Sequence, residues 1–403
     1  MNGIFRSRLL LILGATCCLV TGTPGAAARE ARPSSSRPVV PHWSRPQIEQ
    51  LLHWMKSAEA DALATVAADI PAVEAALASG TENQLDVVAS AAATRLLEVH
   101  RQGCCNAALR TGWHIAAEPL QPAAEAAVAA AVASDGVDAL FRSARPVHPY
   151  YNSLLQAYMR ERDPARRATL AANLDRWRWM PRNLGSQYIL VNTAAFEATL
   201  WKGEQMIDRW AVIVGKTRSP TPVFRTNITG VTFNPWWEIP RSIAAESVAK
   251  LIGRHPAEAA AKGYVLQAGR YRQRPGPGNA LGRMKLVMPN PYNVYLHDTP
   301  TQALFAQDVR AFSHGCVRVG DALGLATALL AERPEWSRAQ VDAVVASGQT
   351  VTVALKAAIP VYVSYFTAEP DGAGSVRYFK DVYGRDRGAT ALNGEGRCGI
   401  ASK

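Results

Sequence analysis

The chain has few cysteines, fewer acidic than basic residues, and no long apolar run beyond its N-terminus. Six cysteines in 403 residues are too sparse for a fold built on disulfides. Cys17 and Cys18 lie in the N-terminal apolar run, leaving Cys104, Cys105, Cys316 and Cys398. A single bridge between the adjacent Cys104/Cys105 pair and Cys398 remains open. After residue 28 no stretch has the roughly 18 consecutive apolar residues of a membrane span. Lys and Arg outnumber Asp and Glu by 44 to 33, yet they form no dense basic run. That excludes an evident nucleic-acid motif and leaves an anionic lipid or an acidic wall polymer as the polyanion a basic protein would meet. No internal repeat is present.

The N-terminus is organised for export. Arg6 and Arg8 precede the apolar run LLLILGATCCLV, and Ala26 and Ala28 supply small residues for cleavage. Residues 1–28 therefore read as a cleaved signal peptide. Residues 29–46, rich in Pro, Ser and Arg, read as a linker. From 47 to 147 the chain is Ala-rich, which favours helix. Ile48, Leu51, Leu52 and Met55 recur at helical spacing, and so do Leu85, Val88, Ala92 and Leu96. His100 and His114 stand alone there and read as core or surface histidines. Connecting helices follow over 148–186. They end in RWRWMPR, read as tryptophans packed on the next domain under arginine stems. The period then shifts to short β-rich runs over 187–386. An Ala-rich helical insertion interrupts them at 241–275, where long insertions often act as lids. The tail, 387–403, is Gly-rich.

The chemistry-bearing stretch is RAFSHGCVRV. A cysteine attacks as thiolate and needs a base or a positive neighbour. His314, two residues from Cys316, and His297, at the end of the apolar run YNVYLH, are the candidates. Gly315 lets backbone amides come close to a developing oxyanion. Residue types alone leave three readings open. Cys316 is a nucleophile, or it joins His297, Asp298 and His314 on zinc, or it is an inert buried thiol.

The stretch HDTPTQALFAQDVRAFSHGCVRV resembles the active-site signature of the L,D-transpeptidase (YkuD-like) catalytic domain. RWRWMPRNLGSQYILVNTAAFEATLW, VIVGKTRSPTPVF, TFNPWWEIPRSIA, RPGPGNALGRMKLVMPNPYNVYLHDTP and FKDVYGRD extend the likeness over about residues 173–386, to the large Gram-negative, YcbB-type branch. The resemblance implies an α+β protein: a helical scaffold-like domain, then a mostly β catalytic domain with a helical capping insertion. It implies Cys316 as nucleophile, His297 as its base and the Asp298 carbonyl as orienting group. His314 and Gly315 would shape the oxyanion site with the Cys316 amide. Arg318 would hold substrate or loop, and Ser313 would be structural. Trp236, Trp237 and Tyr292 are candidate cleft aromatics. The implied substrates are peptidoglycan tetrapeptide stems, donor and acceptor, joined 3→3 between meso-diaminopimelates through a thioester with loss of D-alanine. The mechanism calls for no metal or other cofactor. The implied location is the periplasm, beside cell-wall synthesis partners, with carbapenems as acylating inhibitors. Hydrolysis or protein attachment at the same site, or non-catalytic wall binding, are the alternatives. Between Val147 and Arg176 no small peptidoglycan-binding module of the kind many relatives carry is evident.

Overall fold

The computed structural model describes residues 40–103, 110–116 and 122–386. The signal peptide, most of the linker, the tail and the pairing of Cys104, Cys105 and Cys398 lie outside the described residues. Among the described residues no helix is long and apolar enough to cross a membrane.

The first half is helical. Helix α1 (Arg45–Ser57) begins inside the stretch expected to be linker. Its start is fixed because the Ser44 N–H donates to Gln47 Oε1 at 3.0 Å, half of a capping box. All four apolar positions expected on one face, Ile48, Leu51, Leu52 and Met55, are buried. Helices α2 (Ile70–Ser79), α3 (Glu82–Gln102), α4 (Ala124–Ala133) and α5 (Val137–Ala144) complete the bundle around them. On α3 the second half of the expected face holds, with Ala92 and Leu96 buried beside Ala89, Ala93, Leu97 and His100, whereas Leu85 and Val88 are only half-buried.

His100 is completely buried between the rings of Trp54 and Phe141. Neither ring nitrogen has a hydrogen-bond partner. The nearest carboxylate, Asp61, is 3.9 Å away and is engaged at 2.6 Å by Arg145. Burial, helped by Arg178, Arg145 and Arg182, holds the imidazole pKa down at about 3, so the folded state carries it neutral. Its unfolded value is 6.5. Stability from this group is therefore complete above that value and is lost as pH falls from 6.5 towards 3. The loss is about 1.4 kcal/mol per pH unit in that window. In melts at pH 7 and pH 5, His100→Leu is expected to lose less stability on acidification than the parent; equal losses would refute this account.

Helices α6 (Pro149–Arg160) and α7 (Pro164–Arg178) lead to the second domain. Here the expectation of arginine stems laid over tryptophans is corrected. Arg176 and Arg178 are themselves buried, at 1% and 2% exposure. Arg178 donates to Asp175 at 2.7 Å and to the Tyr151 hydroxyl at 3.0 Å. Arg176 pairs with Asp386 at 2.6 Å and donates to the Thr367 hydroxyl at 3.3 Å. A buried guanidinium is tolerated only when so paired, and apart from Asp175 the partners come from remote parts of the sequence.

The second domain is a sheet of strands β1 (Gln187–Asn192), β2 (Glu197–Lys202), β3 (Gln205–Gly215), β4 (Phe224–Phe233), β8 (Met284–Val287), β9 (Leu296–His297), β10 (Ala311–Ser313), β11 (Val317–Val319) and β12 (Val351–Ser364). The order is β10-β3-β11-β9-β8-β4-β12-β1-β2. Because β2 also pairs with β3, the sheet closes on itself and leaves the short β10 as its edge. Its core runs through Val191, Val214, Phe233, Leu286, Val317 and Val363, and α11 (Ala322–Leu329) and α12 (Arg338–Ala346) pack against it. A short hairpin, β13 (Ala368–Pro370) with β14 (Val376–Tyr378), follows the sheet.

The insertion after β4 is not all helix, as expected from its alanines. It runs β5 (Trp237–Glu238), α8 (Arg241–Ile243), a π-turn (Ala244–Val248), α9 (Ala249–Arg254) and α10 (Pro256–Ala261). It then forms a hairpin, β6 (Tyr264–Gln267) and β7 (Arg270–Gln273), with β5 paired to β7. Ala268 and Gly269, both at positive φ, make the turn, the backbone a tight hairpin requires.

Candidate active site

Alternation along β11 puts Val317 and Val319 into the core, fully buried. Cys316 and Arg318 thereby share the opposite face. Strand β9 runs parallel beside β11, with Val317 against Leu296 and Arg318 against His297. Leu296 points into the core, so His297 stands on the same face as Arg318 and Cys316. Residues 297 and 316 are thus brought to one face by the pairing of two short strands.

His297 is buried, and its Nδ1 lies 2.5 Å from the Asp298 carbonyl oxygen. A carbonyl only accepts, so Nδ1 carries the proton and Nε2 keeps its lone pair. That carbonyl is fixed through its own side chain. Asp298 accepts from the Arg283 N–H at 2.8 Å, from Arg283 Nε at 3.1 Å and from Gln302 Nε2 at 3.3 Å. Gly282, at φ 63°, allows this, since a Cβ there would meet the Asp298 carboxylate at 2.5 Å. Burial, with Arg318 adding to it, lowers the His297 pKa to about 4, against the pull of the Asp298 and Leu281 carbonyls.

The loop 313–316 is held from within. The Ser313 hydroxyl donates to the Cys316 carbonyl at 2.6 Å and accepts from the Gly315 N–H at 3.0 Å. Gly315 sits at φ 119°, where a side chain would be strained. Its carbonyl accepts from Thr221 Oγ1 at 2.8 Å. Of the backbone amides around Cys316, Gly315 N–H is thus engaged by Ser313. Val317 N–H is engaged by the Tyr295 carbonyl at 2.9 Å. The Cys316 N–H is left without a partner among the described residues.

Cys316 is half-buried, and its thiol donates to the Asn293 carbonyl at 3.7 Å. Burial pushes its pKa above the ordinary value, opposed by the Tyr295 N–H and by Arg318. The resting pair is therefore a neutral thiol and a neutral imidazole. Arg318 is half-buried, its pKa lowered chiefly by burial, and no carboxylate of the described residues pairs with it.

The remaining sequence-predicted residues are more dispersed. His314 turns away from the thiol to Glu246 of the π-turn, Nε2 to Oε2 at 3.1 Å. Trp237 packs with Ile239, Ala244 and Val248 in the small core of the insertion, and Trp236 lies under the Arg272 guanidinium at 4.5 Å. These two form the base of the insertion. Tyr292 is exposed and stacks on His114 at 5.2 Å. Sequence reasoning missed Thr221, Asn293 and Tyr383; the Tyr383 hydroxyl donates to the Gly215 carbonyl at 2.7 Å beneath the loop. Asn293 had a local signal, an NPYN turn whose Asn290 side chain accepts from the Tyr292 and Val294 amides. A separate cavity of about 210 Å³, lined by His148, Trp177, Arg182 and Tyr188 among others, shares no residue with this site. Among the described residues no three His, Cys, Asp or Glu side chains are placed to hold a metal ion.

A thiol and a carbonyl-oriented imidazole on one face of a closed β domain define a cysteine–histidine site of the kind used in acyl transfer. Residues 186–353 match the L,D-transpeptidase catalytic domain family (YkuD), and residues 36–157 match the Scaffold domain family. The chain thus contains an L,D-transpeptidase (YkuD) catalytic domain preceded by a Scaffold domain. A Haemophilus influenzae protein with the provisional name L,D-transpeptidase is 30% identical over 238 residues, 54% of this chain and 48% of that protein. The chain spans about half the length of this curated relative. Among solved structures, an L,D-transpeptidase from Mycobacterium smegmatis has 13% identity and a TM-score of 0.24, covering 44% of this chain and 58% of that one. L,D-transpeptidase 3 from Mycobacterium tuberculosis with a faropenem-derived adduct has 14% identity and a TM-score of 0.24, covering 44% and 60%.

Proposed function

We propose that the protein cross-links peptidoglycan, joining stem peptides 3→3 between meso-diaminopimelate residues, and that it is of the YcbB-type branch. The observation that carries this reading is the placement of Cys316 and the carbonyl-held His297 on one face of β9 and β11 within a matched L,D-transpeptidase domain. Cys316 loses its proton to His297 Nε2 as sulfur attacks the donor carbonyl carbon. The C–S bond forms, and the Cys316 N–H faces the oxyanion. On collapse the C–N bond to D-alanine breaks, and the leaving amine takes the proton from His297. The side-chain amine of a second stem then attacks the thioester, the C–S bond breaks, and the thiol is restored. Arg318, which pairs with no carboxylate among the described residues, offers its guanidinium to a substrate carboxylate. Ser313 fixes the loop, and His314 takes part through its backbone. Stems of this kind lie outside the cytoplasm, so the reading carries with it a periplasmic location and an exported chain, with carbapenems as acylating inhibitors.

The test is intact mass analysis after incubation with a disaccharide-tetrapeptide. A muropeptide dimer lacking one D-alanine is expected. A trimmed tripeptide without dimer would replace cross-linking by hydrolysis at the same thioester.

A further inference from the structure

The insertion after β4 concentrates charge. Residues 241–275 hold seven Lys or Arg against two Glu, a net of five positive charges out of the chain's +11. Part of this charge surrounds a concavity of about 390 Å³ formed by Ser247, Lys250, Arg254, His255, Lys262 and Tyr264. Ser247, Lys250 and Arg254 recur three and four residues apart, so the turns of one helix bring them to a single stripe. His255 ends that helix, and Lys262 and Tyr264 face it from the start of β6. Glu258 takes Lys262 at 2.7 Å, but no carboxylate of the described residues pairs with Lys250 or Arg254. Cations gathered around a concavity repel one another and focus a positive potential into it. A fold that needed only solubility could spread them.

The same helix reaches the active site from its neighbouring stripe. Glu246, one residue before Ser247, holds His314 at 3.1 Å and Arg218 at 3.8 Å. Lys250 and Arg254 follow Glu246 by four and eight residues, so a ligand seated between them lies roughly 6 to 12 Å along the helical run from its contact with the loop that carries Cys316. We propose that this pocket binds the carboxylates of a peptidoglycan stem peptide, a stem other than the one acylating Cys316. It would hold the second reactant beside the thioester. The inference rests on the cross-linking reading and deepens it by assigning a place to the second stem.

The experiment uses the full chain carrying Cys316→Ala, so that binding is measured without turnover. Calorimetric titration with the disaccharide-tetrapeptide is compared with and without Lys250→Glu and Arg254→Glu together. Charge reversal is expected to weaken binding about tenfold, and a stem with amidated carboxylates should show a similar loss against the unreversed protein. Thermal melts certify the fold; if the reversed variant melts early, Lys250→Gln with Arg254→Gln takes its place. Equal affinity in reversed and unreversed proteins would overturn the proposal. So would displacement of the stem by an equal concentration of inorganic phosphate, which would give the pocket to phosphate. Failure of the cross-linking reading shows separately, as an unaltered chain whose Cys316 takes no acyl group whatever the pocket binds.

Discussion

Cys316→Ala is expected to abolish acyl-enzyme formation while the protein keeps its fold. Incubated with a carbapenem or with the tetrapeptide stem, the unaltered chain should gain the mass of one acyl group and the variant none. Turnover should fall by a factor on the order of 10³ or more, since a covalent route without its nucleophile keeps only binding and oxyanion contacts. The substitution is mild structurally. Cys316 is half-buried and its sulfur makes one long contact, 3.7 Å to the Asn293 carbonyl. Losing it costs less than about 1 kcal/mol. The loop itself is held by Ser313 and Thr221, through bonds to the Cys316 and Gly315 backbones that alanine keeps. An unchanged melt with no acylation is therefore the expected pair of results. Retained turnover would remove Cys316 from the mechanism.

What could be read in the sequence was what the chain states locally. Ser313, Gly315 and Cys316 lie within four residues, and their contacts are largely with one another, so the motif carries its own geometry. The face of α1 was legible for the same reason, because periodicity and burial agree over four positions. Non-local partners were not legible. The arginines of RWRWMPR read as stems laid over tryptophans until Tyr151, Thr367 and Asp386 are brought around them. The alanines of the insertion lie almost all in its first part, which is helical, whereas the stretch after Gly263, with Ala268 alone, pairs as a hairpin and with β5. Trp236 and Trp237, candidates for the cleft by type, were claimed by packing within the insertion. Closure of the sheet through β2 and β3 has no sequence signature at all. His114 shows the same limit, since its stacking on Tyr292 joins a segment before the β domain to the turn beside the thiol.

His297→Ala should be the second large loss, about 10² to 10⁴-fold in the acylation rate at neutral pH, the range a positioned base contributes. The pH dependence separates two ways in which a histidine can serve a thiol. In a preformed thiolate–imidazolium pair the cysteine pKa is depressed and the histidine raised. Here both shifts run the other way: burial raises Cys316 and lowers His297 to about 4. The imidazole is therefore unprotonated and competent as a base from about pH 5 upward, while the thiol keeps its proton until attack. Acylation by the unaltered enzyme should hold a plateau through the mildly acidic range and fall only as pH approaches 4. Alkylation of Cys316 by iodoacetamide should be slow at pH 7 and rise above pH 9. In His297→Ala the acylation plateau should disappear and the rate climb with pH, narrowing the gap as hydroxide supplies the thiolate. The Asp298 carbonyl makes this arrangement workable. It orients the ring and fixes the tautomer through a neutral oxygen, and the Asp298 carboxylate, engaged by Arg283, raises the pKa too little to offset burial, so the histidine stays neutral. Fast alkylation at pH 6 would establish the ion pair instead and reverse the order of proton transfer and attack.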